Sequence, residues 1–218
     1  MSPRGLLISF SGIDGTGKST IARQLQQLLS SNYGIASRYV WCKFGDHPLS
    51  HYRLVKSSEQ SEFKSWLAPR EPMSFPSPLN KIYGGMMLAF HLTQIALVIL
   101  GALKRGEFVI CDRYIFDTMV DLQQDLHYSA EQARKILDAG WIPQPRLKFL
   151  LDISEQIAFA RKPDSNSPEY LKRRRTLYLD VARKYKLDIV DASQPIEAVC
   201  LSVMQRIKAQ DLQEVVCR

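Results

Sequence analysis

The residue pattern with the clearest chemical meaning lies between residues 12 and 19. The stretch Gly12-Ile13-Asp14-Gly15-Thr16-Gly17-Lys18-Ser19 fits Gly-x4-Gly-Lys-Ser/Thr, the pattern of a phosphate-binding P-loop. Glycines let the backbone turn so that its N–H groups point at phosphate oxygens. Lys18 is expected to reach the β- and γ-phosphates of a nucleotide, and the Ser19 hydroxyl to hold Mg²⁺. The predicted nucleotide-binding residues are Gly12, Gly15, Thr16, Gly17, Lys18, Ser19 and Thr20.

A second polar motif, Asp112-Arg113-Tyr114, directly follows the apolar run of residues 108–111. Ligands of open α/β sheets bind at the carboxyl ends of the strands, which is where this motif is expected to lie. Asp112 there is a candidate Mg²⁺ ligand, usually through water, and Arg113 is a candidate phosphate clamp. A capping or salt-bridge role for the Asp-Arg pair is the alternative.

A basic segment later in the chain is a candidate lid. Arg161 and Lys162 precede a turn-rich stretch, residues 163–168, between two predicted helices. A mobile lid at about residues 161–170 would stabilise charge on a transferring phosphoryl group. The basic run 172–175 just beyond it is interpreted as a solvated helix face.

Two motifs of other P-loop proteins are missing from the sequence. Asn80-Lys81-Ile82-Tyr83 lacks the final acid of the guanine-binding pattern Asn-Lys-x-Asp. The third predicted strand does not end in the Asp-Glu pair that a motor-type ATPase needs to activate water. Phosphoryl transfer to an acceptor other than water is therefore favoured.

Short apolar runs alternate with longer helical patterns along the chain, which predicts βαβ units and a parallel sheet. One α/β domain spanning residues 1–218 is expected, because the chain is short for two domains. The five predicted strands are Leu6–Phe10, Ser37–Cys42, Phe108–Cys111, Leu147–Leu151 and Leu187–Val190.

Helices are predicted between the strands from periodicity and from capping residues. A segment of about residues 56–83, which holds four prolines, is predicted to form an irregular substrate-side insertion or a surface loop. The predicted helices are 18–29, 86–105, 129–138 with a Ser129/Gln132 capping box, a short one capped by Ser154, 168–185, and a last one opened by Pro195.

Composition limits the class of partner. The net charge of +7 suits nucleotide phosphates, nucleic acid or an acidic membrane surface, and cannot choose among them. The apolar stretch 84–101 is interrupted by His91, Thr93 and Gln94, which predicts a buried helix and not a membrane span. Four scattered cysteines favour a reducing cytoplasmic compartment. No nucleic-acid or membrane partner is expected.

With the P-loop, the Asp-Arg-Tyr motif and the basic lid in this order, the chain resembles the thymidylate kinase family over nearly its whole length. Residues 10–20 resemble the family's P-loop, including the aspartate within it, and residues 105–114 resemble the approach to its Asp-Arg-aromatic motif. Residues 145–153 are similar to its fourth strand. Residues 191–199 are similar to the segment beside its adenine pocket.

The resemblance implies a P-loop kinase fold that binds ATP with Mg²⁺ and a deoxynucleoside monophosphate such as dTMP, commonly as a homodimer. It implies that Asp14 touches the acceptor sugar or positions its phosphate, and that Arg113 holds the acceptor phosphate. Residues 13–16 contain no arginine. This is similar to members that supply one from the lid, and Arg161 is the candidate.

One departure from the family concerns the acceptor. Phe90-His91 stands where the resemblance leads one to expect an Asp-Arg pair on the central helix. A mostly neutral histidine replaces a permanent charge poorly, and His91 is also interpretable as a core residue. Arg53, Arg70 or Lys81 are candidate replacement cations; otherwise the acceptor is not dTMP.

Three alternative functions remain open from the sequence. The first is a kinase of the same fold with another acceptor, such as a nucleoside or a non-nucleotide alcohol, for which Asp14 or Asp117 could act as the base. The second is a nucleotide-binding regulatory module without transfer activity. The third is nucleic-acid binding, which rests on net charge alone.

Overall fold

A computed structural model of the protein describes residues 5–42, 77–137, 140–163 and 167–209. Strands and helices alternate along the chain as the sequence predicts. The elements are β1 Leu7–Ser11, α1 Lys18–Tyr33, β2 Ser37–Trp41, α2 Ser77–Lys104, β3 Phe108–Asp112, α3 Ile115–Gln124, α4 Ala130–Leu137, β4 Leu147–Asp152, α5 Glu155–Arg161, α6 Pro168–Tyr185, β5 Asp188–Asp191 and α7 Ile196–Ile207.

The five strands form one parallel sheet in the order β2-β3-β1-β4-β5. The predicted fold class, a five-stranded parallel α/β sheet flanked by helices, is therefore confirmed. All five residues of β1 and all five of β3 are buried, as expected for central strands covered by helices on both faces. The pairing of Phe10 and Trp41 with Asp112 aligns the carboxyl ends of three strands at one edge of the sheet. That edge carries both polar motifs.

Helix α2 begins earlier than predicted. Its first residue is Ser77 and not Met86, so residues 77–83, which were predicted to belong to the irregular insertion, are helical. Pro78 lies at the second position of the helix, where a missing N–H costs nothing, and this explains why the proline pattern misled. Residues 56–76 of the predicted insertion lie outside the described part. None of the helices in the described ranges is long and apolar enough to cross a membrane.

Helix α3 was not predicted, whereas the predicted caps of neighbouring helices are confirmed. At the start of α3 the backbone N–H of Tyr114 donates to the Asp117 carboxylate at 2.9 Å. Ser129 and Gln132 form the reciprocal capping box before α4, with hydrogen bonds of 2.9 and 3.2 Å. Ser154 caps α5 through the N–H of Ile157. The predicted strands and helices differ elsewhere from the observed ones by a few residues at their ends.

Candidate active site

Glycine is required in the loop between β1 and α1 for two physical reasons. Gly12, Gly15 and Gly17 have φ angles of 141°, 89° and 84°, a region that side chains disfavour. A Cβ on Gly12 would lie 2.4 Å from the carbonyl oxygen of Leu151, and one on Gly15 would lie 2.4 Å from that of Ala158. The loop therefore packs directly on the backbone of β4 and α5. This geometry is the one the P-loop prediction requires.

The side chain of Lys18 is buried inside this loop. Its Nζ donates to the carbonyl oxygens of Gly12 at 2.8 Å and Ile13 at 2.6 Å, and to the Thr16 hydroxyl at 3.2 Å. Burial, followed by repulsion from the Arg113 guanidinium, lowers the pKa of Lys18 to about 7. An anion that approaches this amine would raise its pKa and so favour the protonated form.

A polar cavity of about 250 Å³ lies beside the loop and contains most of the predicted site residues. Gly15, Gly17, Ser19 and Thr20 form the P-loop side of its wall. The charged residues of the wall come from three separate parts of the chain, namely Asp14, Lys18, Asp112, Arg113 and Lys162. The structure therefore brings the P-loop and the Asp-Arg-Tyr motif together, as the sequence predicts.

Asp112 is held in place by a residue that sequence reasoning missed. The Tyr39 hydroxyl donates to Oδ2 of Asp112 at 2.8 Å and is also hydrogen-bonded to Ser19. Tyr39 lies on β2, two residues before Trp41, and Trp41 pairs with Asp112. Side chains two residues apart share a face of a strand, so the strand register is the signal that could have found it.

The pair formed by Ser19 and Asp112 fits a magnesium ion. Oδ1 of Asp112 is buried and has no hydrogen-bond partner among the described residues, so a cation would satisfy an otherwise costly group. In the described ranges no cluster of three or more His, Cys, Asp or Glu residues could hold a metal. One carboxylate and one hydroxyl, from Asp112 and Ser19, suit Mg²⁺, because this ion commonly binds through one or two carboxylates together with substrate phosphates.

Arg113 adopts a left-handed backbone conformation, with φ of 69°. This conformation is uncommon for residues other than glycine, and strain of this kind tends to occur at functional sites. Its guanidinium donates to Asp14 and lies 3.5 Å from Oδ1 of Asp117. Asp14 is partly exposed at the cavity, whereas Asp117 is fully buried. Asp14 and Arg113 therefore meet at the cavity, and the roles that the resemblance implies for them towards the acceptor stay predictions.

Asp117 is fully engaged in structural hydrogen bonds. Its carboxylate accepts from the Ser11 hydroxyl at 2.7 Å, the Tyr114 backbone at 2.9 Å and the Tyr178 hydroxyl at 2.8 Å. It is not part of the cavity wall. The geometry does not support the alternative in which Asp117 is the base for an uncharged acceptor.

The two candidate lid cations line two different cavities beside the P-loop. Arg161 donates to the carbonyl oxygens of Ala192 at 2.8 Å and Ser193 at 3.1 Å. It lines a second cavity of about 270 Å³ together with Gly15, Thr16, Gly17 and Pro195. Lys162, in contrast, lines the polar cavity. The predicted adenine-side segment, residues 191–199, contributes to the second cavity.

The interpretation of residues 172–175 as a solvated face is wrong for two of the four. Arg174 is only 7% exposed and pairs with Asp121 and Asp125. Arg175 makes a bidentate pair with Asp152, at 2.8 and 2.9 Å. The helical period explains the error, because it turns every third or fourth residue of the run towards the protein.

The residues implicated in the departure from the family are only partly described. His91 is buried in α2, which agrees with its interpretation as a core residue. Arg53 and Arg70 lie outside the described ranges, as do the side chains of Lys81 and Phe90. The prediction that one of these cations replaces the missing pair therefore stays a prediction.

Comparison with known proteins points to one family for this chain. The family model for thymidylate kinase matches residues 75–203. The probable thymidylate kinase of Archaeoglobus fulgidus is 30% identical over 219 residues, covering 94% of this chain and 95% of that protein. Thymidylate kinase of Burkholderia thailandensis is 29% identical over 212 residues, covering 90% and 94%.

A solved structure shows the same fold. The crystal structure of thymidylate kinase from Ehrlichia chaffeensis superposes with a TM-score of 0.62 at 20% identity, covering 94% of this chain and 100% of that one. The P-loop kinase fold predicted from the resemblance is confirmed by this likeness. Because the family model covers more than half of the sequence and a 30% identical relative spans nearly all of it, this chain belongs to the thymidylate kinase family.

Proposed function

We propose that this chain transfers the γ-phosphoryl group of ATP to dTMP. The observation that carries the proposal is the single polar cavity in which Lys18, Asp112, Arg113 and Asp14 meet. Family membership supports the same reaction. No feature of the described residues favours a regulatory module without transfer activity, since Lys18, Asp112 and Arg113 all line the cavity.

The donor nucleotide would use both cavities beside the P-loop. Its phosphates would bind the loop N–H groups, the amino-terminal end of α1 and the Lys18 ammonium. Its base would occupy the second cavity, where the apolar side chains of Pro195 and Ile196 offer a surface for a planar ring. Arg161 is fixed at the wall of that cavity by its two backbone hydrogen bonds, so we assign it to donor binding in this arrangement.

Ser19 and Asp112 would hold the magnesium ion, with Tyr39 fixing the carboxylate. The ion would neutralise negative charge on the phosphates. Asp112 contributes a charge buried at the end of β3, where no conformational change is needed to present it.

The acceptor phosphate would bind Arg113, and Asp14 would orient the acceptor beside it. A monophosphate acceptor is already an ionised nucleophile, so the site needs positioning and positive charge more than a base. Lys162 faces the same cavity. It would supply, from the lid, the positive charge that some family members have in the P-loop itself. The role predicted for Arg161 is therefore reassigned to its neighbour.

A homodimer in the cytoplasm completes the proposal. Ala89, Thr93, Leu97 and Leu100 are exposed on α2, and Leu97 is 71% exposed. An apolar stripe of this kind suits packing against the same helix of a second copy. The free thiols of Cys42, Cys111 and Cys200 support a reducing compartment.

The test is an ATP-to-ADP assay with Mg²⁺ against dTMP, dUMP, UMP, CMP, AMP, GMP and thymidine. We expect turnover to be greatest with dTMP and to be lost in Lys18→Ala, which excludes a contaminating kinase. Turnover with another acceptor and none with dTMP would contradict the proposed acceptor while leaving the phosphotransferase intact.

A further inference from the structure

Helices α3 and α6 are joined by a ladder of polar side chains. Three acids one turn apart on or just beyond α3 face three side chains one turn apart on α6. The Tyr170 hydroxyl donates to Asp125 at 2.7 Å, and the Tyr178 hydroxyl donates to Asp117 at 2.8 Å. Between them Arg174 pairs with both Asp121 and Asp125. We call this set the α3–α6 ladder: Asp117, Asp121 and Asp125 with Tyr170, Arg174 and Tyr178.

The two ends of the ladder lie in different parts of the protein. Tyr170 is in the first turn of α6, three residues after the capping residue Ser167, and it is the last residue of the predicted lid, residues 161–170. Tyr178 is two turns further along and buried. The acids run in the opposite direction, so the Tyr178 end of the ladder meets the start of α3. That start directly follows Arg113.

The inner end of the ladder contacts Arg113 through one carboxylate oxygen. Oδ1 of Asp117 accepts the Tyr178 hydrogen bond and lies 3.5 Å from the Arg113 guanidinium. Oδ2 is held by Ser11 and by the Tyr114 backbone. Tyr178 is therefore the side chain from outside the motif that sets the direction of Oδ1, the oxygen nearest to the arginine.

A buried carboxylate of this kind strongly influences the arginine beside it. Asp117 is fully buried, so water does not screen its charge. Arg113 is held between this carboxylate and Asp14 at the cavity. If Asp117 were displaced, the Arg113 guanidinium would keep only Asp14 as a carboxylate partner. It would then turn away from its present position at the cavity.

We propose that Tyr178 is a positioning residue for Arg113 and acts through the Asp117 carboxylate. The ladder thereby ties α6, whose first turn belongs to the predicted lid, to the arginine that receives the acceptor phosphate. This role rests on the proposed function, which assigns Arg113 to that phosphate. It adds a residue on a distant helix that touches no substrate.

The test compares two tyrosines of the ladder. Tyr178→Phe keeps the ring and removes the hydroxyl, and we expect the KM for dTMP to rise about tenfold, since a hydrogen bond to a charged group is lost. The KM for ATP is expected to change little, whereas the melting temperature should fall, because the buried Asp117 carboxylate loses a hydrogen bond. Tyr170→Phe is the matched control. It removes a hydroxyl that donates to Asp125, just beyond α3, and it leaves the hydrogen bonds of Asp117 intact. Its KM for dTMP should equal that of the wild type.

A double-mutant cycle separates positioning from general packing. In an Arg113→Ala background, Tyr178→Phe should cause no further loss, since the group it positions is gone. Binding of inorganic pyrophosphate is measured by calorimetry on the protein saturated with ADP, because ADP occupies the P-loop and leaves the cavity beside Arg113 for the added anion. This readout needs no dTMP. We expect pyrophosphate to bind about tenfold more weakly to Tyr178→Phe than to Tyr170→Phe.

The inference would be overturned if the two tyrosine substitutions weakened pyrophosphate binding equally. It would also be overturned if Tyr178→Phe raised the KM for dTMP as much in the Arg113→Ala background as in the wild type. If the wild type does not phosphorylate dTMP, the proposed acceptor is wrong. The pyrophosphate comparison still decides the role of Tyr178 in that case.

Discussion

At the scale of single residues, the buried amine of Lys18 makes protein stability depend on pH. Its pKa is lowered from 10.5 to about 7 in the folded protein, chiefly by burial. Between these pH values the unfolded chain holds a proton that the folded protein has released. The free energy of unfolding must therefore rise with pH in this range.

We predict that, relative to Lys18→Met, the wild type gains about 1 kcal/mol in the free energy of unfolding per pH unit from pH 7 to 9. Urea unfolding of both proteins at pH 7, 8 and 9 measures the difference. Lys18→Met is the control because it keeps an unbranched chain of similar length without a titrating group. A constant difference between the two proteins would show that Lys18 is not buried as described.

The two lid cations are expected to differ in which kinetic constant they control. Lys162→Ala should lower kcat roughly 10- to 100-fold with little change in the KM for ATP, because Lys162 faces the cavity where charge develops. Arg161→Ala should mainly raise the KM for ATP, since Arg161 lines the second cavity. Steady-state kinetics of both variants test this.

The comparison of Arg161 with Lys162 contains its own control. Each substitution removes one positive charge from neighbouring positions, so an effect of net charge alone would be the same in both. A loss of kcat in Arg161→Ala together with a normal Lys162→Ala enzyme would return the charge-stabilising role to Arg161.

At the scale of secondary-structure elements, the close packing of the P-loop on α5 depends on Gly15. We predict that Gly15→Ala lowers the free energy of unfolding by about 3 kcal/mol, because its Cβ would meet the Ala158 carbonyl at 2.4 Å. Gly17→Ala should cost only about 1 kcal/mol. Denaturant unfolding of the two variants measures both values.

Gly17 is a close match to Gly15 because its φ of 84° is nearly the same as the 89° of Gly15. A Cβ at Gly17 would have nothing within 4 Å. The two substitutions therefore differ in the contact and not in backbone strain. Equal losses of stability would mean that the loop does not pack on α5 as described.

Elements whose charged residues are exposed or local were predictable from the sequence, whereas elements with buried charged residues were not. The P-loop was predictable because its glycines, lysine and serine are local and their spacing is fixed by phosphate chemistry. Helix α3 was missed because Asp117 and Asp121 are buried, whereas a pattern-based interpretation assigns acids to the surface. The same assumption misplaced Arg174. Paired charges can be buried, and their partners are known only once the helices are packed.

Contacts between distant parts of the chain could not be predicted from the sequence either. Tyr39 reaches Asp112 from 73 positions away, through the register of β2 with β3. Asp14 and Arg113 were each singled out through the family resemblance, but the contact between them was not predicted. Local motifs were thus recovered, and the residues that support them from neighbouring elements were not.

At the scale of the whole molecule, the exposed stripe on α2 predicts the assembly. We expect the wild type to sediment as a dimer and Leu97→Lys to sediment as a monomer, because a charge in an apolar interface is costly to bury. Analytical ultracentrifugation measures this. Leu201→Lys on α7 is the control, since Leu201 is similarly exposed, at 64%. A monomeric wild type, or dissociation by Leu201→Lys, would contradict the assignment of α2.

The central claim is that the chain moves a phosphoryl group from ATP to dTMP, and following the γ-phosphate itself tests it most directly. ATP labelled at the γ-phosphate is incubated with dTMP, Mg²⁺ and either the wild type or Lys18→Ala, and the labelled products are separated. The account predicts label in dTDP with the wild type, little label in free phosphate, and none in dTDP with Lys18→Ala. Label released only as free phosphate, or dTDP formed equally by Lys18→Ala, would contradict it.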